Sequence, residues 1–376
     1  MKLSDDQHML IDTTRRFLEA TMPMAQVRIL HETEAGFETG WWEQATQLGW
    51  TALLPGPTGS DWVSEAPLVD LALVAEELGA VVAPGPFLAD NVVMAALELG
   101  GVTTRVMEVV DGIRTGAVIA TPCFKEPASS WSPDRVACAA TETAAGYRIS
   151  GSKTMVEHAN EADELLVTAR TADGTLVLAL VPGTATGVDV RGLEPLDFVR
   201  RYGSVELRDV EVGLDSVVAV GDRAAAAVRR AGDIAVVLQC AEMVGAASKV
   251  FDLTVQYATE RHSFGRPLSS YQALKHSFAD MKLWVEASRA TTYAAARASA
   301  AGAPDASKLA STAKTYVGDN LPEAVQACVQ MHGAIGVTWE HDLHIFLRRV
   351  VVDRGIYGPP DHHRSLVATS ASPETP

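Results

Sequence analysis

Cysteine is scarce in this 376-residue chain. Cys123, Cys138, Cys240 and Cys328 stand far apart, with no CxxC pair among them. That spacing argues against a disulfide framework or a thiolate metal site, and reads as small buried hydrophobes in a reducing compartment. Positive charge is short as well. Lys and Arg number 31 against 47 acids, a net charge of −16, which argues against a DNA or RNA partner because phosphate binding needs a basic surface. No apolar run of about 18 residues is seen, so neither a transmembrane helix nor membrane insertion is expected. No basic segment followed by an apolar stretch opens the chain, so no signal peptide is expected and the location reads as cytoplasmic. No Gly-x-Ser-x-Gly elbow is present, which removes the simplest hydrolase reading. "GAIGVT" (333–338) neither fits GxGxxG nor follows a strand, which removes a dinucleotide fold.

What is present is globular: 47% hydrophobic residues and 21% charged ones, enough for a large core and two or three structural units. The first third reads as helical. "SDDQHMLIDTTRRFLEAT" starts on Ser4 as a cap with acids in the first turn. From about Ala117 the texture changes to short runs rich in Val, Leu, Ile and Thr. Asp173-Gly174 between two such runs predicts a hairpin. From about Asp222 long helices return. Leu274, Phe278, Met281 and Val285 repeat at spacings of four, three and four, an apolar stripe suited to antiparallel packing. The expected organisation is α+β and mostly α, in three parts: an all-α domain over 1–116, a middle β domain (a small barrel or sandwich) over 117–220, and a helical bundle over 221–370.

Two segments carry the chemistry. "RHSFGRPLSSYQALKH" (261–276) interrupts a long helical region, with Arg261 and Ser263 at the end of one helix and Gln272 opening the next. "QMHGAIGVTWEHDLHIFLRR" (330–349) follows later. An Arg guanidinium suits a pyrophosphate, a Ser hydroxyl can bond the same phosphates, and glycine lets backbone approach closely. Together the two segments resemble the acyl-CoA dehydrogenases: the first matches R-x-[ST]-F-G with Gln eight residues after the Phe, the second Q-x-x-G-G-x-G. The resemblance covers nearly the whole chain. It implies an N-terminal helical domain, a middle β-barrel, a C-terminal four-helix bundle, and FAD as cofactor. It also implies that Arg261, Ser263, Phe264, Gln272, Gln330 and Gly333 hold the nucleotide end of a neighbouring subunit's FAD. His332 and Ala334 are further members of that set, Ala334 standing where the family usually has Gly. The implied reaction is α,β-dehydrogenation of an acyl-CoA thioester, with electrons passed to an electron-transfer flavoprotein or similar acceptor.

The rest of the family's site is not matched. Its catalytic glutamate occupies one of two places, and the equivalents here are Tyr357 in "DRGIYGPP" and Ala235 in "GDIAVVLQCAE". Neither is acidic, and a tyrosine, with an ordinary pKa of about 10, is a poor base near neutral pH. Glu242 and Asp353 are the replacement candidates, each also readable as a structural or surface carboxylate. Of the T-E-P-x-A-G-S-D stretch only Glu126-Pro127 survives in "KEPASSWSPD" (125–134). Met155 replaces the aromatic of W-I-[ST], which packs on the flavin ring. The nucleotide-clamping half is intact and the ring and substrate half is not. That pattern is similar to the small or β subunit of heteromeric α2β2 actinobacterial acyl-CoA dehydrogenases, whose partner chain supplies the base, and implies a bulky or steroid-derived acyl group. Two other readings stay open: a self-sufficient homotetramer using Glu242 or Asp353, and a non-catalytic acyl-CoA-binding partner protein. His362-His363 read as solvated residues of a flexible Pro-rich segment rather than metal ligands.

Overall fold

The computed structural model describes residues 2–59, 64–127, 131, 135–194 and 196–371. Helix α1 (Asp5–Thr21) starts as its sequence predicts: Ser4 Oγ accepts the Gln7 amide and the Gln7 side chain accepts the Ser4 amide, closing a capping box. Short helices α2 (Met24–His31) and α3 (Thr39–Thr46) follow, and Trp41, Trp42 and Trp50 are buried in this part. Helices α4 (Pro67–Ala80) and α5 (Phe87–Leu97) are apolar on nearly every face and accordingly buried on nearly every face. Helix α6 (Thr104–Thr115) stops at Gly116, whose left-handed φ of 76° a side chain would strain.

Eight strands come next: β1 (Ala120–Cys123), β2 (Ala139–Thr143), β3 (Gly146–Glu157), β4 (Glu164–Arg170), β5 (Leu176–Pro182), β6 (Val188–Leu193), β7 (Tyr202–Gly213) and β8 (Val217–Val220). They form one mixed sheet in the order β6-β7-β3-β2-β4-β5-β8, with β1 parallel to β4. Asp173-Gly174 does turn β4 into β5, with Gly174 at φ 90°. Among the described residues β6 and β8 do not pair with each other. By hydrogen bonding the expected barrel is therefore open along one seam.

The remaining helices are α7 (Asp222–Glu260), α8 (Gln272–Ala300), α9 (Ala306–His332), α10 (Leu343–Gly355) and α11 (Pro360–Ala371). A two-stranded ribbon, β9 (His262–Ser263) with β10 (Arg266–Pro267), joins α7 to α8. In α8, Met281 and Val285 of the predicted stripe are buried, while Leu274 and Phe278 are half-buried near the ribbon. By length and hydropathy α7 could cross a membrane. The sequence expectation missed it because Gln239 and Glu242 interrupt its apolar run. Since 83% of its most apolar stretch is buried inside the protein, it is a core helix. Helix α7 crosses α4 backbone to backbone at Gly79 and Gly245: a Cβ on Gly79 would lie 2.0 Å from the Glu242 carbonyl oxygen, and one on Gly245 1.8 Å from that of Glu76. The four cysteines are free and buried.

Candidate functional site

The interruption after α7 is a tight ribbon. Phe264 and Gly265 both take positive φ (50° and 80°), the turn geometry that joins two strands without splaying them. The Arg261 carbonyl accepts the Leu268 amide at 2.9 Å. The Tyr271 hydroxyl donates to the Ser263 carbonyl at 2.7 Å, and the Arg266 guanidinium lies 3.9 Å over the Tyr271 ring. So braced, the ribbon displays Phe264 with 97% of its surface exposed. A second exposed set lies at the end of α9. Gln330 stands in its last turn, Gly333 caps it at φ 66°, and Ala334 follows. The ends of α7 and α9 are tied together: the Tyr257 ring stacks on His332 at 4.3 Å, and the His332 ring is braced by the Cys328 carbonyl at 2.9 Å. Arg261, Gln272 and Gln330 are exposed, and their side chains make no hydrogen bond or ion pair among the described residues. His332 is buried against Tyr257.

The two carboxylates weighed as replacement bases have other partners. Both carboxylate oxygens of Glu242 accept Arg200 Nη2, at 2.7 and 2.8 Å, and its Oε1 also accepts Arg349 Nη1 at 2.8 Å. Asp353 Oδ1 accepts Arg200 Nη1 at 2.9 Å. Arg349 also grips Asp197, and Lys314 donates to Gln239 and to the Asp353 carbonyl. Arg200 Nε lies 3.2 Å from Glu157 Oε1, an ion pair out of line for a hydrogen bond, so neither Glu157 oxygen has a hydrogen-bond partner among the described residues. Every member is buried. Burial pushes the Asp353 carboxyl up to about 7, the Glu242 charge adding to it against Arg200 and Arg349. Burial raises Glu157 as well, despite Arg200. Asp197 is the reverse: Arg349 and Arg200 outweigh its burial and hold it down at about 2. Glu242 and Asp353 are thus anchors of a buried ion network joining β3, the loop before β7, α7, α9 and α10. Neither is a free proton acceptor.

Of the two positions where the family carries its glutamate, Ala235 is fully buried on α7. Tyr357 sits at φ 58° with its ring 5.1 Å from Trp131. Burial beside Glu157 raises its phenol well above the ordinary range, so it stays a neutral donor. Glu126 is structural: it accepts Lys153 Nζ at 2.7 Å and the amides of Ala137 and Cys138. Met155 bends through φ 53°. Ala128 to Ser130 and Ser132 to Asp134 of the "KEPASSWSPD" stretch lie outside the described residues.

A cavity of about 340 Å³ opens beside Tyr357. Val136, Val228, Val236, Thr168, Ser311 and His363 form its buried floor, Phe124 and Trp131 stand at its side, and Arg229, Ser307, Lys308 and Leu366 rim its mouth. His363 corrects the expectation of a solvated histidine. It is buried on α11, its Nε2 donating to the Tyr357 carbonyl at 3.0 Å, which leaves Nδ1 to accept from the Ser311 hydroxyl at 3.1 Å. Burial and the Lys314 charge hold its pKa down at about 3, so it is neutral. Asp233 also faces this cavity and accepts from Ser307. Burial raises its carboxyl. Sequence reasoning missed it, although Arg229, Gly232, Asp233 and Val236 share one helix face at spacings of three, four and seven.

Comparison with known proteins closes the identification. The family models "Acyl-CoA dehydrogenase, N-terminal domain" and "Acyl-CoA dehydrogenase, C-terminal domain" match residues 4–119 and 233–372. The acyl-CoA dehydrogenase IpdE2 of Mycolicibacterium smegmatis is 29% identical over 363 residues, 95% of this chain and 96% of that one. Among solved structures, the Tcur3481–Tcur3483 steroid ACAD variant superposes with a TM-score of 0.86 at 25% identity over 97% of both chains. The ChsE4–ChsE5 complex of Mycobacterium tuberculosis superposes at 0.85 and 23% identity over 99% of both. The helices, mixed sheet and helical bundle, with a helix interruption that reads R-x-S-F-G, are therefore a family architecture, and the chain belongs to the acyl-CoA dehydrogenases, oxidoreductases that use FAD.

Proposed function

We propose that this chain is the non-catalytic subunit of a heteromeric acyl-CoA dehydrogenase, completing a partner chain's FAD site rather than running the reaction itself. One observation carries the reading. The two family positions for a base hold Tyr357 and Ala235, and both acidic replacements, Glu242 and Asp353, are bound to Arg200 in the core.

FAD fits the two halves of the site differently. Arg261, Ser263, Gln272, Gln330 and Gly333 form a polar set whose Arg and Gln side chains are exposed and without partners among the described residues, which suits a pyrophosphate and nucleotide presented by a neighbour. Phe264, in a left-handed conformation that costs roughly 1–2 kcal/mol and almost wholly exposed, is placed to pack on that nucleotide. The ring half does not fit. Met155 replaces an aromatic, and Glu157, two residues on, adds a buried carboxylate, ion-paired to Arg200, where a polar but neutral Ser or Thr is usual. No step through the flavin is assigned to this chain. Arg261, Ser263, Gln272 and Gln330 would hold the nucleotide end of FAD, whose chemistry when bound would be hydride acceptance in the partner's centre, with an electron-transfer flavoprotein or similar protein as the onward acceptor. This chain's part is to hold the pyrophosphate and shield it from water. An α2β2 assembly acting on a bulky, steroid-like thioester is the finer form of the proposal, supported by likeness to a named steroid ACAD and to a two-chain complex.

A self-sufficient enzyme would have to use Asp233, the one carboxylate among the described residues that lines the cavity. The discriminating measurement is flavin content and turnover of the chain purified alone and co-purified with a second family member. Little flavin alone, and about one FAD per heterodimer together, is expected. One FAD per chain with turnover that Asp233→Asn abolishes would establish the self-sufficient reading instead.

A further inference from the structure

Two residues with no assigned task lie directly beneath the clasp. His332 belongs by its sequence position to the nucleotide set, yet it is buried, its ring turned onto Tyr257. We propose that Tyr257 and His332 are positioning residues: their stacked rings fix the end of α7 against the end of α9. Arg261 and Ser263 are thereby set in register with Gln330 and Gly333 for a neighbour's FAD. This rests on the clasp assigned to those residues under the proposed function, and applies equally to a neighbour that is a second family member or another copy of this chain.

Three connections place the pair under both halves of the clasp. The Tyr257 carbonyl accepts the Arg261 amide at 2.8 Å where α7 ends, so Tyr257 lies one turn below Arg261. His332 is the last residue of α9, between Gln330 and the Gly333 cap, and its carbonyl accepts the Tyr257 hydroxyl at 3.4 Å. The two rings stack with centroids 4.3 Å apart and planes at 22°. A third helix is tied in through Cys328. Its carbonyl accepts from His332 Nδ1 at 2.9 Å, and its sulfur packs 3.6 Å from that of Met281 in α8, the helix that Gln272 opens. Helix ends fray unless something holds them. Arg261, Gln272 and Gln330 have no side-chain partners among the described residues, so their placement comes from the backbone beneath them. Ordering that backbone in advance removes a cost that binding would otherwise carry. The imidazole suits the place because it is neutral: burial lowers its pKa against the pull of the Cys328 carbonyl, with His341 adding to the lowering.

The test is the FAD affinity of the flavin-loaded assembly, read from the flavin fluorescence released on dilution, beside the melting temperature of each variant. Tyr257→Leu keeps apolar bulk but removes the stack, and should weaken FAD binding roughly three- to tenfold, the range an aromatic pair is worth. Tyr257→Phe keeps the ring and should stay within about twofold of wild type. Arg261→Lys supplies the second background, since lysine keeps the charge and loses the forked geometry of a guanidinium. There the added Tyr257→Leu should cost less than about twofold, because residues serving one contact are not additive. A general loss of stability would act equally in both backgrounds, so the comparison decides even where Tyr257→Leu lowers the melting temperature. No loss in Tyr257→Leu, the same loss in Tyr257→Phe, or an undiminished loss beside Arg261→Lys would overturn the proposal. Unchanged FAD affinity in Arg261→Ala would instead overturn the clasp itself, so the two failures are separable.

Discussion

Asp353 shows how a residue's surroundings override its type. One of its oxygens accepts from Arg200 while the other, fully buried, has no partner, and an ionised oxygen without a partner is costly in the interior. The folded carboxyl therefore keeps its proton up to about pH 7, whereas the unfolded one loses it near the ordinary value of about 4. Across that window the folded state binds the extra proton, so this group's contribution to stability declines as pH rises from about 4 to about 7 and is constant above. Asp353→Asn keeps the acceptor for Arg200 and removes the titration. Its melting temperature should change less between pH 5 and pH 8 than the wild type's, by thermal melts at fixed ionic strength; parallel pH profiles would contradict the assignment. None of this was legible in the sequence. Glu157, Asp197, Arg200, Glu242, Arg349 and Asp353 are spread over nearly 200 positions, and only the fold makes Glu242 and Asp353 neighbours of the same guanidinium. Without that contact each was open both to the reading of a base and to the favoured one of a structural or surface carboxylate, with nothing to name its partner.

At the scale of elements much more could be read. The Ser4 capping box, the Asp173-Gly174 turn and the Met281–Val285 stripe are local signals, settled within a few residues of chain, and they formed where expected. The helix break at Phe264-Gly265 was legible as a break. Its form, two paired residues on each side of a positive-φ turn, was not, because Phe is a poor residue for that conformation. The misfit accords with the proposed role of Phe264 against a neighbour's nucleotide. Phe264→Ala should leave the isolated protein's stability within about 0.5 kcal/mol, since the ring is exposed. It should also lower flavin retention in the assembly with a partner, measured as FAD per complex after gel filtration; retained flavin would remove Phe264 from the nucleotide site. The apolar run of α7 is ambiguous for a different reason: burial inside a bundle and burial in lipid demand the same composition, and only packing tells them apart.

For the molecule as a whole, the order of helices, sheet and helices was visible as a change of texture near Ala117 and Asp222, and the mostly-α fold class with it. How the sheet is fastened to the bundle was not. Arg200, in the loop before β7, binds Glu157 of β3, Glu242 of α7 and Asp353 of α10 at once, so neither part can unfold without stranding buried charge. Calorimetry should accordingly show one unfolding transition. Arg200→Leu, which strands Glu157 and Asp353 and leaves Glu242 with Arg349 alone, should cost about 3–5 kcal/mol and split the transition in two. A single sharp peak in that variant would show that apolar packing alone makes the fold cooperative.

The crossing at Gly79 and Gly245 has a mechanical meaning. Gly245 lies sixteen residues from Arg229 at the cavity mouth and sixteen from Arg261 at the ribbon. With that close backbone crossing of α4 taken as its fulcrum, helix α7 is a beam with arms of about 24 Å at 1.5 Å per residue. Each degree of rocking about that fulcrum carries the two ends about 0.4 Å in opposite directions, given those arms. Under the proposed function, the nucleotide clasp hangs from one end of that rod and the cavity mouth from the other.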